Sequence, residues 1–349
     1  MKKSLIALAV LASSGAAMAQ SSVTLYGVVD TSIAYVKGQE NVSGMLNSGN
    51  ATSRLGFRGV EDLGNGLKAE FVLEGEIAPD TGASNDKGDA MNFKRQSTVG
   101  LSGSFGQVRL GRALTASYNA VSRYDLFGTV GLGATLAWKN SYQNRYDNMV
   151  SYISPKFSGF GFGVDYGFGE KAENRTSRNF SIGGTYDNGP LSIGLGYDQQ
   201  NNVAVTPTVV PALPAAIVQD LKTVQLGASY NFGVAKLAGF YKQTKYENVV
   251  GTASDKLKSF NIGVSAPVGA AGEVKLAYNN YKLSDSDAKA NQLSLGYVHN
   301  LSKRTAVYGT YAYLKNKDGA GFTLNGAFAA AGLDDGKQHG VQVGVRHAF

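Results

Sequence analysis

Arg54, Arg58, Lys68, Glu70 and Glu74 stand in even steps on either side of a turn at 61–66. In an extended chain alternate residues share a face, so all five ionic groups fall on one side of a hairpin. Leu55, Phe57, Leu67, Ala69, Phe71 and Leu73 fall on the other. A row of fixed charges can line water and bias the ions in it, and this one holds no nucleophile beside a base. His299, at a predicted turn, and His339 and His347, on the last predicted strand, have no nucleophile motif near them, so the chain reads as non-enzymatic. Gly131-Leu132-Gly133 and Gly161-Phe162-Gly163 stop short of a dinucleotide fingerprint, and no Gly-Lys-Ser/Thr phosphate loop exists. Asp285-Ser286-Asp287 lacks the glycine and distal glutamate of a calcium loop and reads as solvated loop. With no cysteine, thiolate metal sites, thiol nucleophiles and disulfides are excluded, and neither metal nor cofactor is expected.

A hairpin apolar on one side and charged on the other needs two environments. In a soluble sheet the apolar face packs on a core; in a membrane barrel it meets lipid while the charged face lines water. The start of the chain bears on the choice. Met1-Lys2-Lys3, the short apolar run from Leu5 to Ala12 and Ala17-Met18-Ala19 form a secretory signal, with cleavage expected after Ala19 and a mature segment of 20–349. No other run is long and apolar enough for a membrane helix, so any insertion must be as a closed sheet. Charged residues are only 17% of the chain, and its lysines and arginines are scattered singly, which excludes a nucleic-acid binder. The 45 glycines, 19 tyrosines and 16 phenylalanines favour β-structure with close turns and aromatic belts.

The elements follow one rhythm. Tight turns are predicted at 61–66, 102–107, 154–160, 187–190, 231–235, 267–272 and 300–304. Long connections are predicted near 37–50, 79–88, 114–143, 170–176, 200–219, 247–256, 284–290 and 316–337. Seven short and eight long connections join sixteen strands in antiparallel up-and-down order, from 23–36 to 340–349, with both ends on the short-turn side. All seven prolines fall in predicted turns or loops, as an uninterrupted ladder demands. The last strand would leave a flat apolar edge unless it closed onto the first. Tyr166, Phe168, Tyr278, Tyr281, Tyr311 and Tyr313 end apolar faces, where a membrane barrel carries its aromatic girdles. Residues 203–218, with Pro207, Pro211 and Pro214, read as an external loop.

At this point the chain resembles the general-diffusion porins of the Gram-negative outer membrane. The likeness is carried by Gln20-Ser21-Ser22-Val23-Thr24-Leu25-Tyr26-Gly27, by 53–59 with 61–69, by 99–106 with Leu110-Gly111-Arg112, by 154–160 and by the terminal Phe349. It implies an all-β transmembrane barrel of sixteen strands whose third long loop, about 114–143, folds into the lumen. It also implies a homotrimer in the cell outer membrane, in contact with its lipid and lipopolysaccharide. Such a channel passes small hydrophilic solutes and ions without cofactor or energy source. Phe349 would serve as a signal to the barrel-assembly machinery. The rival readings are a substrate-specific barrel channel, which would show saturable block by one solute, and a soluble β-sandwich adhesin, which would need no detergent.

Parity and resemblance together place Arg54 and Arg58 on the pore wall. Strict alternation groups Arg95 with Val99 and Leu101 and would aim it at lipid, at a cost of about 2–4 kcal/mol near the midplane. A β-bulge between Arg95 and Val99 would turn it inward, where the family places an arginine. Arg145, just after the long loop, resembles the third member of that cluster. Lys68, Glu70 and Glu74 face the lumen by parity. In the loop, Arg123, Asp125, Phe127 and Gly128 resemble the family's acidic tip, but its usual proline and glutamate are absent and 129–133 carries no acid. Arginines on one wall against a carboxylate on the other imply a weak anion preference.

Overall fold

The computed structural model describes residues 22–84, 92–138, 143–170, 177–205, 217–248, 254–284, 287–328, 331–333 and 335–349. The expected signal at 1–19 lies outside them. The strands are β1 (Ser22–Lys37), β2 (Asn41–Asn47), β3 (Arg54–Gly64), β4 (Leu67–Glu76), β5 (Gln96–Gly103) and β6 (Gly106–Leu114). After a long connection come β7 (Arg145–Ile153), β8 (Phe160–Gly167), β9 (Asn179–Asn188), β10 (Leu191–Val205), β11 (Ile217–Asn231) and β12 (Lys236–Asn248). β13 (Ser254–Val268), β14 (Gly272–Leu283), β15 (Lys289–Asn300), β16 (Thr305–Lys317) and β17 (Lys337–Ala348) complete them.

β1 pairs antiparallel with both β2 and β3, each strand from β3 on pairs antiparallel with the next, and β17 returns to β1, with Val28 opposite Ala348 and Lys37 opposite His339. The Gly27 N–H donates to Phe349 O at 3.2 Å and the Phe349 N–H to Gly27 O at 3.1 Å. The sheet is therefore closed and has no free edge. Seventeen segments make sixteen wall strands, because β2 and β3 are two lengths of one strand along β1. The expected loop at 37–50 thus contributes β2. Asp30 organises the break: its carboxylate accepts the N–H groups of Gly49, Asn50 and Ala51 at 3.0, 3.0 and 2.6 Å. Without that carboxylate three backbone donors would lose their partner, the Gly49 N–H among them in a buried place.

All seven expected tight turns join strands here. Asn65 and Gly66, at φ 53° and 78°, form the two-residue link of β3 to β4, a primed turn whose twist suits a hairpin. Two expectations of position need correction. Pro267 lies inside β13, paired with Glu273, but next to the strand's last residue, where the ladder ends. β10 and β11 run on to Val205 and from Ile217, so part of the expected loop at 203–218 is paired strand beyond an irregularity at Gln200/Val203.

The wall is inverted relative to a soluble protein. Along β17, Gln338 and Gln342 are buried while Val341, Val343 and Val345 are exposed, with Val343 at 62%. On β13, Phe260, Ile262 and Val264 point out and Ser259, Asn261 and Ser265 point in. Valine, leucine and phenylalanine outside and amide or hydroxyl inside suit lipid on one face and water on the other. Tyr166, Phe168, Tyr278 and Tyr311 lie on the exposed side as expected, but Tyr281 is fully buried. It stands an odd number of residues from Tyr278, so the pleat turns it inward.

Candidate constriction site

β4 places Glu74 inward between Gly56 of β3 and Gln96 of β5. Its carboxylate is the hub of the predicted arginines. Arg95 Nε meets Glu74 Oε1 at 2.7 Å, and Arg54 Nε lies 3.5 Å from Oε2. Arg145 Nε donates to the Arg95 carbonyl at 2.7 Å and its Nη1 to Asn144 Oδ1 at 3.3 Å. The Tyr26 hydroxyl donates to Glu74 Oε2 at 3.0 Å, and the Arg58 guanidinium sits 5.5 Å from the centre of the Tyr26 ring. Four cations thus gather around one carboxylate, through contacts that span β1 to β7.

Arg95 reaches Glu74 without the expected bulge. The β4–β5 register is unbroken from Glu74↔Gln96 to Lys68↔Ser102. β5 begins only at Gln96, so Arg95 stands one residue before the strand and escapes its parity, with its N–H on Glu74 O at 3.1 Å. Glu70 lies toward the short turn, accepting from Gln107 Nε2 at 2.6 Å and from the Ser102 hydroxyl. Lys68 is exposed at that end and takes no part in the cluster.

The long connection is not structureless. Thr115 caps helix α1 (Ala116–Val121), its Oγ1 accepting the Tyr118 N–H at 3.2 Å, and 3-10 turns follow at Ser122–Tyr124 and Leu136–Trp138. Inward side chains of many strands hold it. The Ser117 N–H donates to Ser181 Oγ at 3.0 Å, the Leu132 N–H to Gln342 Oε1 at 2.7 Å and the Leu136 N–H to the Tyr281 hydroxyl at 2.8 Å. Wall cations bind its carbonyls: Lys242 Nζ to Ala137 O at 2.6 Å, Lys275 Nζ to Leu126 O at 3.1 Å and Arg109 Nη2 to Leu114 O at 3.3 Å. Glycines floor the helix. A Cβ at Gly183 would strike the Ala116 carbonyl, and one at Gly194 the Ala120 carbonyl.

The expected loop tip does not face Glu74 as a set. Arg123 forks onto Asp187 of β9, with Nη2–Oδ1 2.9 Å and Nη1–Oδ2 3.3 Å, and Lys156 shares that carboxylate at 2.9 Å. Asp125 is buried at 7% exposure and accepts the Phe127 N–H at 3.1 Å. The Phe127 ring lies against Gly133 and Gly296, and Gly128 turns the chain at φ 72°.

A family model described as Gram-negative porin matches residues 4–319. The chain belongs to the Gram-negative porin family. Outer membrane porin protein 32 of Delftia acidovorans is 49% identical to this porin over the full length of both chains. An outer membrane porin protein of Bordetella pertussis is 37% identical, again over all of both. Among solved structures, an anion-selective porin from Comamonas acidovorans superposes at a TM-score of 0.84 with 46% identity, covering 95% of this chain and 100% of that one. The porin is accordingly an outer-membrane β-barrel channel.

Parity could have found several residues of the site that were missed. Tyr26 shares the inward face of β1 with Asp30, and Lys275 and Tyr281 share that of β14. The three histidines have structural partners instead: Tyr297 with His299, Thr305 with His347, and Tyr311 with His339, whose ring also lies 4.6 Å from that of Tyr313.

Burial raises the Asp125 carboxyl from 3.8 to about 7, the Phe127 N–H and nearby Lys275 opposing the rise. Between those values the folded loop holds a proton that the unfolded chain has lost. Loop stability therefore falls as pH rises through this window and is lowest above about 7. Protection of the amides over 123–138, taken relative to their base-catalysed intrinsic exchange at each pH, should be lower at pH 8 than at pH 6 in the porin, by about tenfold for each ~1.4 kcal/mol lost, and the same at both pH values in D125N.

Proposed function

We propose that this porin lets small hydrophilic solutes and ions cross the outer membrane passively, with a weak preference for anions. Segment 114–143 is the constriction loop, and Arg54, Arg58, Arg95 and Arg145 form the cationic wall of the narrowing. The observation that carries this reading is a difference in access. The inward carboxylates of Asp30, Asp165 and Asp198 are buried, at 0%, 1% and 0% exposure. Asp30 and Asp165 are spent on backbone donors, and Asp198 accepts the Tyr146 hydroxyl at 3.1 Å. The Arg54 side chain, in contrast, is 30% exposed, and Arg58 is open to the water column. At the narrowing, where the Glu74 side chain is 15% exposed, mobile ions therefore meet guanidinium sooner than carboxylate. With Asp125 buried, the loop sets little negative charge against them.

Screening acts over about 8 Å at physiological ionic strength, so the preference is modest and falls as salt is added. In planar bilayers under a salt gradient, the reversal potential should take the sign of anion permeation and shrink at higher mean salt. A strong cation preference would refute the reading. Flux that saturates with one solute would replace it by a substrate-specific channel.

The assembled form is a homotrimer. Residues 1–19 direct export, and Phe349, which closes the last rung of the seam, serves as the signal read by the barrel-assembly machinery. Lys68 and Glu70 extend the charged lining toward the short turns, and anions and small neutral solutes are the passengers.

A further inference from the structure

Between α1 and the short turns at 154–160 and 187–190, the inner face of the wall holds a recess of about 240 Å³. It exists because β8 leaves the wall bare at Gly161, where a new Cβ would find nothing nearer than Lys156 Cγ at 3.6 Å and Thr185 Oγ1 at 3.7 Å. Ile153 of β7 and Ala116 and Ala120 of α1 give the recess apolar surface, and Arg109 of β6 and Lys156 stand in the same lining. Hydrocarbon and cations therefore meet in one hollow.

Arg109 is the member that the fold leaves incomplete. A guanidinium carries a fork of N–H donors and no acceptor. Among the described residues this one makes a single hydrogen bond, from Nη2 to Leu114 O at 3.3 Å, and its buried Nε has no acceptor. Asp165 is near enough to attract it, but that carboxylate already accepts the Ala116 N–H. Lys156 and Arg123 share the Asp187 carboxylate, each at 2.9 Å. Three cations thus stand against two carboxylates, both already bonded. A buried donor without an acceptor is costly, and a guest carboxylate can supply two oxygens to the arginine fork in parallel bonds.

Size and lining define the rest of the guest. An apolar cavity of about 150 Å³ holds benzene, and this recess exceeds that by room for a carboxylate. We propose that the recess binds small monocarboxylates whose apolar body is the size of an aromatic ring, with the carboxylate on Arg109 and the body against Ile153, Ala116 and Ala120. Such a solute is held beside the water column and not in the narrowing, so the flux of other solutes stays unsaturated. The proposal rests on the water-filled lumen and is independent of the anion preference set at the narrowing.

The test uses the full-length porin in deuterated detergent micelles, titrated with benzoate, with its neutral counterpart benzamide, and with acetate. Saturation-transfer NMR on the ligand protons gives the binding, with empty micelles subtracted. Wild type should bind benzoate saturably, and benzamide and acetate on the order of tenfold more weakly, the worth of a hydrogen-bonded charge or of a buried ring. R109Q should bind benzoate on the order of tenfold more weakly and no longer tell it from benzamide. G161V places its side chain where the ring lies and should bind neither; its Cβ meets only ordinary contacts, so it carries the test should R109Q fail to assemble. R54S/R58S, which removes the open arginines of the narrowing, should bind benzoate as the wild type does. Equal binding of benzoate by wild type and either recess variant, or benzamide binding as tightly as benzoate, would overturn the proposal. Acetate binding as tightly as benzoate would make the recess a site for any anion, and loss of binding in R54S/R58S would move the site to the narrowing; either result overturns it equally.

Discussion

Bilayers holding the R54S/R58S variant will show a reversal potential shifted toward cations, with the anion-to-cation permeability ratio lowered by roughly fivefold at low salt. A unit charge about 4 Å from an ion in water is worth about 1 kcal/mol, close to a factor of five. Two charges are removed here, and screening returns part of the difference. The effect follows from the partners that remain. Arg95 stays on Glu74 at 2.7 Å and Arg145 on the Arg95 carbonyl, so two cations remain against one carboxylate where four stood before. Arg54 and Arg58 matter more than Arg95 and Arg145 because they are the cations of the cluster that solvent reaches most readily. K68Q, at the short-turn end and outside the cluster, should leave the ratio almost unchanged. If R54S/R58S keeps the wild-type ratio at low salt, the cluster does not set selectivity.

The architecture was legible because a membrane barrel writes its two solvents into the chain with period two, and its turns into glycine, asparagine and proline. That pattern located every short turn and the closure at Gly27 and Phe349. It failed where the backbone leaves the pleat. Arg95 reads as lipid-facing by counting, yet it lies one residue outside β5, and no count along a strand detects where the strand begins. Tyr281 was assigned to the girdle from its residue type, against a parity that sends it inward to the Leu136 N–H. The loop was hardest to read. Its partners lie on strands up to 210 positions away, as in the bond from Leu132 to Gln342, and a lone inward glutamine carries no mark of what it will hold. Arg123 and Asp125, on either side of Tyr124, part company for the same reason: one finds Asp187 and the other is buried beneath the turn it stabilises.

Gly183→Val should release the constriction loop without opening the barrel. Gly183 of β9 points inward beneath α1, and a Cβ there would run into the Ala116 carbonyl and the Ser117 nitrogen, which are backbone and cannot rotate aside. Overpacking of this kind costs about 1–3 kcal/mol, of the same size as the two hydrogen bonds the helix would lose at ~1 kcal/mol each, and a clash with backbone atoms has no other relief. The helix should therefore lift, giving up the bond from Ser117 to Ser181 and that from Ala116 to Asp165. The wall should persist, because valine suits an extended backbone and the pairing of Gly183 with Gly163 and Gly196 uses main-chain atoms only. The expected result is a barrel that still shifts on heating in gel electrophoresis, with a larger single-channel conductance and faster entry of larger sugars. Gly184→Val supplies the contrast at the next residue: it faces outward, where the nearest atom to a new Cβ is Gly161 O at 3.9 Å, and conductance should stay at the wild-type level. A Gly183→Val barrel that conducts as the wild type does would mean that α1 is not what narrows the channel, since the wall alone would then set its width.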